Sequence, residues 1–381
     1  MSALAASGAP EKSELRVGFM PLTDCAPIIV AAAKGFDRRH GLRIVPVRES
    51  SWAAVRDRLL RGENDASQLL YGMAYGVQTG VGGAARELAI TMGLSRNGQG
   101  ITLSRALLAR GVRDGASLAA LVHREPGCTF AHTFPTGNHA MWLYYWLAAL
   151  GVQPLREVRM TTVPPPQMVA QMRAGIMDGY CVGEPWNAHA VREGVGFTVA
   201  TSQHIWPDHP GKALGMTAAF VDAHPRSARA LTAALLEAAR WCDARGNRAE
   251  LARLLAAPAC IDCEVAAIAD RLDGDYDDGI GRRWHDAHPL RFFDDGAVTQ
   301  PWLSDGLWFL TQLRRWGLLR SEPEYLDIAA RVQRLDVYHD ACAAVGIAAP
   351  RAVMRRSVLF DGGVWDGSDP AAYAASFAIR A

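Results

Sequence analysis

Three polar segments of the sequence each place hydrogen-bond donors at or near a predicted helix start. They are residues 131–142 (AHTFPTGNHAMW), 183–187 (GEPWN) and 206–212 (WPDHPGK). Backbone N–H groups at a helix N-terminus carry partial positive charge and favour a small anion. Lys212 adds a full positive charge. The segments therefore predict a site for a small anion, which needs neither a nucleophile nor a metal.

Five residues could contact such an anion. A buried oxyanion needs several converging donors and about one cation, because leaving it unpaired costs several kcal/mol. Each residue also has an ordinary structural explanation: a solvated lysine, a packed or capping histidine, a core tryptophan, a glutamine in a flexible glycine-flanked loop, or a glycine that permits a turn. The residues alone leave these alternatives open. The five are Trp52, Gln99, His139, Gly183 and Lys212, the last predicted in a loop with few charges nearby.

Alternating strand and helix patterns predict α/β layers with a largely parallel sheet. Residues 15–20 alternate like a strand, and a helix is predicted over 26–34, with Asp24 available as its cap. A helix over 138–150 is apolar almost all round and should be deeply buried. Further strands are predicted at 42–47, 128–131, 158–163 and 180–182, and further helices at 52–61, 167–174, 227–244, 248–255, 302–316 and 325–335.

The composition is that of an ordinary globular protein, 50% hydrophobic and 21% charged. A net charge of +1 argues against nucleic acid or an acidic membrane surface as a direct partner. No segment has the apolar length needed to span a bilayer, and residues 1–13 are predicted to be a disordered tail without a secretory signal. Seven scattered cysteines fit a reducing compartment better than a disulfide framework. Together these features favour a cytoplasmic protein.

Neither a metal nor a cofactor is predicted. Cys260 and Cys263 have the spacing of a redox or metal motif, but no second such pair and no matching histidine pair follows them. No set of catalytic residues is predicted either.

Longer stretches of the sequence resemble the nitrate-binding proteins of bacterial ABC importers. The resemblance implies a two-lobed α/β substrate-binding-protein fold of type II, with the ligand in the interlobe cleft and a helical C-terminal region. We predict lobe 1 at 14–100 plus 207–381 and lobe 2 at 101–206. By resemblance, nitrate would contact all five candidates named above and bridge the lobes. The matching stretches are 18–27, 51–53, 97–104, 164–169, 178–187 and 206–210.

Within this resemblance, Lys212 favours nitrate or nitrite, because bicarbonate-binding relatives have an acidic residue where the nitrate binders have a cation. The lack of an export signal makes the chain most similar to the cytoplasmic NasS-type nitrate sensors. That similarity implies an ANTAR-type RNA-binding antiterminator as partner, held inactive until nitrate or nitrite releases it.

Three alternatives remain from the sequence. The first is a solute receptor that serves the membrane subunits of an ABC importer and is periplasmic, its export signal missing from this version of the chain. The second is an enzyme similar to the thiamine-pyrimidine synthases, with Cys181 as nucleophile near Glu184 and either His132 or His139 as base. The third is a binder of a sulfonate or another small anion.

Overall fold

Two five-stranded sheets form the centre of the fold in the computed structural model, which describes residues 8–381. The first sheet uses strands from residues 14–96 and 210–217, and the second uses strands from 99–201. In chain order the strands are β1 (Glu14–Phe19), β2 (Arg43–Arg48), β3 (Ala66–Leu69), β4 (Leu88–Arg96), β5 (Gln99–Ser104), β6 (Thr129–His132), β7 (Arg159–Thr162), β8 (Gly179–Gly183), β9 (Gly196–Thr201), β10 (Pro210–Thr217), β11 (Asp275–Asp277), β12 (Arg283–His285), β13 (Ser357–Val358) and β14 (Val364–Trp365).

The two sheets have the same topology. Their strand orders are β2-β1-β3-β10-β4 and β7-β6-β8-β5-β9. β1 runs parallel to β2 and β3, and β6 runs parallel to β7 and β8. β10 and β5 are antiparallel to their neighbours, because each enters its sheet from the other one. The predicted α/β class is confirmed, although the sheets are mixed rather than largely parallel.

Helices cover both sheets and form most of the C-terminal region. Among residues 8–381, none of them combines the length and the apolar character that crossing a bilayer requires. The helices are α1 (Ala26–Ala33), α2 (Phe36–Arg39), α3 (Trp52–Leu60), α4 (Tyr71–Gln78), α5 (Arg105–Ala109), α6 (Gly115–Arg124), α7 (Asn138–Ala149), α8 (Met168–Arg173), α9 (Trp186–Arg192), α10 (Ser202–Ile205), α11 (Ala218–Ala223), α12 (Pro225–Asp243), α13 (Arg248–Ala256), α14 (Val265–Asp273), α15 (Leu303–Arg315), α16 (Tyr325–Val332), α17 (Leu335–Ala344) and α18 (Pro370–Ala375).

The elements that periodicity predicted in the first half of the chain lie within one residue of their positions in the structure, whereas α2, β3, α4, β4, β5, α5 and α6 were not predicted. The predicted helix over 138–150 is α7, and every one of its residues except the last is buried. Its apolar surface on all sides explains this burial, because such a helix has no face that favours water. After residue 225 the structure is mostly helical, as predicted.

Two segments predicted as loops are strands that cross between the sheets. Gln99 is the first residue of β5, so Gln99 and Gly100 belong to the second sheet rather than to the predicted lobe 1. Lys212 lies within β10, so residues 206–212 lead into a strand and not into a helix. Glycines, which suggested turns, instead allow close packing here: a Cβ at Gly211 would lie 2.4 Å from Ser95 Oγ. The other lobe bounds stay a prediction.

Two residues of the predicted disordered tail, Glu11 and Lys12, make specific contacts in the structure. Residues 1–7 lie outside the described part of the chain. The Glu11 carboxylate accepts hydrogen bonds from the backbone N–H groups of Arg226 and Ser227 at the start of α12. The Lys12 ammonium pairs with Asp65 at 2.7 Å. Residues 11 and 12 are therefore attached to the first sheet and its helices.

Candidate anion-binding site

Lys212 is buried at the centre of the molecule. The register between β10 and β4 is irregular on both sides of it, and such bulges redirect side chains. Its Nζ lies 2.6 Å from Asp24 Oδ2 and 6.0 Å from the centre of the Trp52 ring, with 0% of the lysine side chain exposed. The expectation of few charges nearby is therefore wrong, since Lys212 forms a buried ion pair.

Trp52 is held beside Lys212 by the start of α3. Ser51 caps this helix, because its Oγ accepts a hydrogen bond from Ala54 N at 3.1 Å. Trp52 is the first helical residue and is fully buried. Its indole Nε1 has no hydrogen-bond partner among the described residues, so it is available to a ligand.

Gln99 and Gly183 lie opposite each other on the neighbouring strands β5 and β8 of the second sheet. Gln99 Oε1 accepts a hydrogen bond from Trp142 Nε1 at 3.1 Å, which orients the amide. Gln99 Nε2 is buried, and within residues 8–381 it has no partner. A Cβ at Gly183 would lie 3.5 Å from Asp24 Oδ2, so the Gly183 backbone approaches the Lys212–Asp24 pair.

His139 lies in the first turn of α7. Its Nδ1 is 2.5 Å from Thr133 Oγ1, and its buried Nε2 is unpartnered in the described part of the chain. Burial and then the charge of Lys212 hold the pKa of His139 well below its usual value, so the ring is neutral. When the Thr133 hydroxyl donates to Nδ1, the proton of the neutral ring lies on Nε2, which becomes a donor.

The structure thus brings all five predicted residues to one enclosed place. Three of them present a buried nitrogen without a partner among the described residues: Trp52 Nε1, Gln99 Nε2 and His139 Nε2. Buried polar atoms in proteins nearly always have a partner, so these three nitrogens could be satisfied by a ligand that accepts hydrogen bonds.

Asp24 is the residue of this site that the sequence did not reveal. It was expected to cap a helix, but it lies in a buried 3-10 turn over Thr23–Cys25. Its Oδ1 accepts from Gln68 Nε2 at 2.6 Å, while Oδ2 accepts from Lys212. Burial raises the pKa of Asp24 above its ordinary value, although Lys212 and Gln68 act in the opposite direction. The available signal was a charged residue within an otherwise apolar stretch.

Hydrogen bonds connect the two lobes, each of which is built on one of the sheets, on both sides of these residues. Thr23 N donates to Glu184 O at 2.8 Å. Trp186 Nε1 donates to Pro21 O at 3.0 Å. On the other side of the site, the Asn138 side chain binds the backbone of α4 and of β10. The site is therefore enclosed by contacts that would break if the lobes separated.

An aromatic cluster covers the site from the C-terminal region. Trp142 packs against Trp206, His209 and Trp308, with ring centres 4.7 to 5.8 Å apart. Trp308 belongs to α15, so the helical C-terminal region contributes to the enclosure. Apolar rings exclude water and thereby strengthen electrostatic interactions within the site.

Two groups of the alternative enzyme hypothesis, Glu184 and Cys181, have surroundings that oppose the roles given to them. Glu184 is held by Arg271 at 3.0 Å, and burial raises the pKa of the Cys181 thiol, which keeps it protonated. Cys260 contacts Cys25, with their sulfur atoms 3.8 Å apart. Within residues 8–381 no group of three or more side chains suited to metal binding occurs.

The fold defines a protein of the substrate-binding class, with two α/β lobes and a buried polar cluster between them. The chain belongs to the NMT1-like family, which it matches over residues 8–256. It is homologous to the NrtA nitrate-binding proteins of ABC importers. The crystal structure of the periplasmic nitrate-binding protein NrtA from Synechocystis PCC 6803 superposes with a TM-score of 0.94 and 35% identity, covering 98% of this chain and 100% of that one.

Two further relatives are ATP-binding proteins. The nitrate import ATP-binding protein NrtC of Synechocystis sp. is 38% identical over 377 residues. The bicarbonate transport ATP-binding protein CmpC of Synechococcus elongatus is 36% identical over 376 residues. Each alignment covers 97% of this chain but only 56% of the relative. Identity alone therefore does not separate nitrate from bicarbonate relatives.

Proposed function

We propose that the chain binds nitrate or nitrite between its lobes. Trp52, Gln99 and His139 would donate hydrogen bonds, the Gly183 backbone would contact the anion, and Lys212 would supply the positive charge. The observation that supports this most strongly is the buried Lys212 ammonium together with three buried nitrogens that have no partner among residues 8–381. Nitrate is planar and has three acceptor oxygens, which matches a set of neutral donors around one cation.

Lys212 also favours nitrate over bicarbonate within the family resemblance, where bicarbonate binders have an acidic residue at this place. The Asp24 carboxylate lies 2.6 Å from the Lys212 ammonium and would repel an anion. The neutral donors still match the acceptor oxygens of nitrate.

Nitrate should stabilise the folded protein in proportion to its occupancy. At about 100 times its dissociation constant, a ligand that binds only the folded state adds about 2.7 kcal/mol to the free energy of unfolding. A thermal-shift panel of nitrate, nitrite, bicarbonate and taurine should show the largest shift with nitrate or nitrite.

The matched variants for this panel are Trp52→Phe, which removes one proposed donor, and Trp241→Phe on α12, outside the site. The nitrate shift should shrink in the first variant and persist in the second. Equal melting temperatures with all four anions would count against the proposed function.

Nitrate binding would switch the protein from an open form to a closed form in which the two lobes come together. Nitrate contacts residues from both sheets, so it binds the closed form better than the open form, and only that difference can change the populations. To change the ratio of closed to open protein from 1:99 to 99:1, the ligand must bind the closed form more favourably than the open form by about 5.5 kcal/mol. A micromolar ligand supplies about 8 kcal/mol in total, so a nearly complete switch is energetically feasible.

Two biological settings fit such a switch. The first setting is the periplasm, where a solute receptor would pass nitrate to the membrane subunits of an ABC importer. The relatives named above favour this receptor over the cytoplasmic sensor expected from the sequence. The sensor is the second candidate, because the seven cysteines scattered through the sequence fit a reducing compartment.

The sensor hypothesis predicts a nitrate-dependent complex. An ANTAR-type antiterminator from the same genome should co-purify with this protein in the absence of nitrate and separate from it when nitrate is added. The measurement is size-exclusion chromatography with and without nitrate. Absence of a complex, or a complex indifferent to nitrate, would remove the sensor hypothesis and leave the binding protein.

A further inference from the structure

The proposed anion position has no net charge before an anion enters. Lys212 is positive, and Asp24 is its buried partner, with 1% of the aspartate side chain exposed. His139 on α7 is neutral because its pKa is held well below the usual value, and burial keeps the Cys25 thiol protonated by raising its pKa. Glu184, beyond β8, is paired with Arg271. The positive charge of Lys212 is therefore already balanced.

An anion bound as proposed would lie against Asp24. Lys212 Nζ and Asp24 Oδ2 are 2.6 Å apart, and the same oxygen is 3.5 Å from where a Cβ of Gly183 would be. A ligand that contacts both Lys212 and the Gly183 backbone thus approaches Oδ2. One ammonium group cannot balance two buried negative charges, and the surplus charge is strongly disfavoured away from water.

We propose that Asp24 takes up one proton from solvent when the anion binds, so that the protein captures a monoanion and a proton together. This inference rests on the proposed function. Before binding the site holds an ammonium and a carboxylate; afterwards it holds an ammonium, the monoanion and a carboxylic acid, and the net charge is zero in both states. The new O–H also becomes a donor that can face the anion.

The environment of Asp24 supports this proton uptake. Burial already raises the pKa of Asp24 in the ligand-free protein, while the adjacent Lys212 ammonium, 2.6 Å away, favours the ionised carboxylate. A second negative charge beside it raises the pKa further, since a like charge disfavours the ionised form. Nitrate has no proton of its own near neutral pH, so the proton comes from solvent.

Calorimetry on the wild-type protein tests the proposal directly. Nitrate titrations at the same pH in Tris and in HEPES, which release protons with different enthalpies, should differ by the heat of about one proton taken up per nitrate. The dissociation constant of nitrate should increase as the pH is raised, by about tenfold per pH unit wherever one proton is taken up per nitrate. Identical heats in both buffers with normal nitrate binding would overturn the proposal.

The Asp24→Asn variant identifies the proton acceptor. It should lose the buffer dependence, and at alkaline pH it should bind nitrate about tenfold or more tightly than the wild type. The control is Asp65→Asn, which alters another buried aspartate paired with a lysine, Lys12, and should keep the wild-type pH dependence.

Proton uptake that persists in Asp24→Asn would overturn the assignment and point to His139, whose neutral ring could also accept a proton. If Asp24→Asn does not fold, the wild-type proton count still decides whether uptake occurs, and Asp24→Glu, which keeps a titratable group, should retain it. An absence of nitrate heat at every pH is a separate result, because it contradicts the proposed function itself.

Discussion

Replacement of Lys212 by methionine should abolish nitrate binding and lower the free energy of unfolding by about 3–5 kcal/mol. Binding is lost because Lys212 is the cation of the proposed site. Stability is lost because the variant leaves Asp24 without its ion-pair partner, 1% exposed and hydrogen-bonded only to Gln68 among the side chains that the structure describes. Isothermal calorimetry measures the first effect and urea unfolding measures the second.

A double variant separates the two effects. Asp24→Asn combined with Lys212→Met removes both charges, so most of the lost stability should return, whereas nitrate binding should not. Lys212→Glu is a poorer test, because it would place a second carboxylate beside that of Asp24. Nitrate affinity equal to that of the wild type in the single or the double variant would exclude Lys212 as the required cation.

Local patterns were sufficient to predict much of this fold. Strand alternation in β1 and the apolar surface of α7 depend on which side chains can be buried, and burial is a property that the sequence records directly. The helix predicted over 52–61 from its spacing does begin at Trp52, and the structure adds the Ser51 cap. The resemblance to one family then connected five distant residues that periodicity could not connect.

The ion pair between Asp24 and Lys212 could not be predicted in this way. The two residues are 188 positions apart, and their contact depends on how β10 returns to the first sheet beside β4. The two crossing strands were also misinterpreted, because the glycines around Gln99 and before Lys212 resemble turns in sequence. These glycines leave room for other segments of the same chain that pack against them. That role can be recognised only when the packing neighbours are known.

Lobe closure can be tested without changing any proposed ligand contact. Gly72 lies in α4, which packs against the first sheet, and a Cβ there would be 2.1 Å from the carbonyl oxygen of Thr136, which precedes α7 in the other lobe. Such a contact is impossible, and Thr136 O cannot move away by a side-chain rotation. Gly72→Ala should therefore hold the lobes apart and weaken nitrate binding by about 10- to 100-fold, since overpacking costs about 1–3 kcal/mol.

The open form should tolerate this alanine. Alanine favours a helix over glycine by about 1 kcal/mol, so the ligand-free variant should unfold at a denaturant concentration close to that of the wild type. Small-angle scattering should show that nitrate makes the wild type more compact and leaves Gly72→Ala unchanged. Gly83→Ala is the control, because a Cβ at Gly83 meets nothing within 4 Å.

Gly76→Ala provides a graded comparison one helical turn further along α4. The three atoms nearest to a Cβ at Gly76 would all belong to the side chain of Thr136, with Oγ1 the nearest at 2.7 Å. The smaller loss of nitrate affinity in Gly76→Ala should be largely recovered by Thr136→Ala, which removes Oγ1 and Cγ2 and leaves Cβ at 3.0 Å. Gly72→Ala should not be recovered by the same substitution, since its obstacle is backbone. Recovery of both variants, or wild-type affinity in Gly72→Ala, would contradict a binding mechanism that requires the lobes to close.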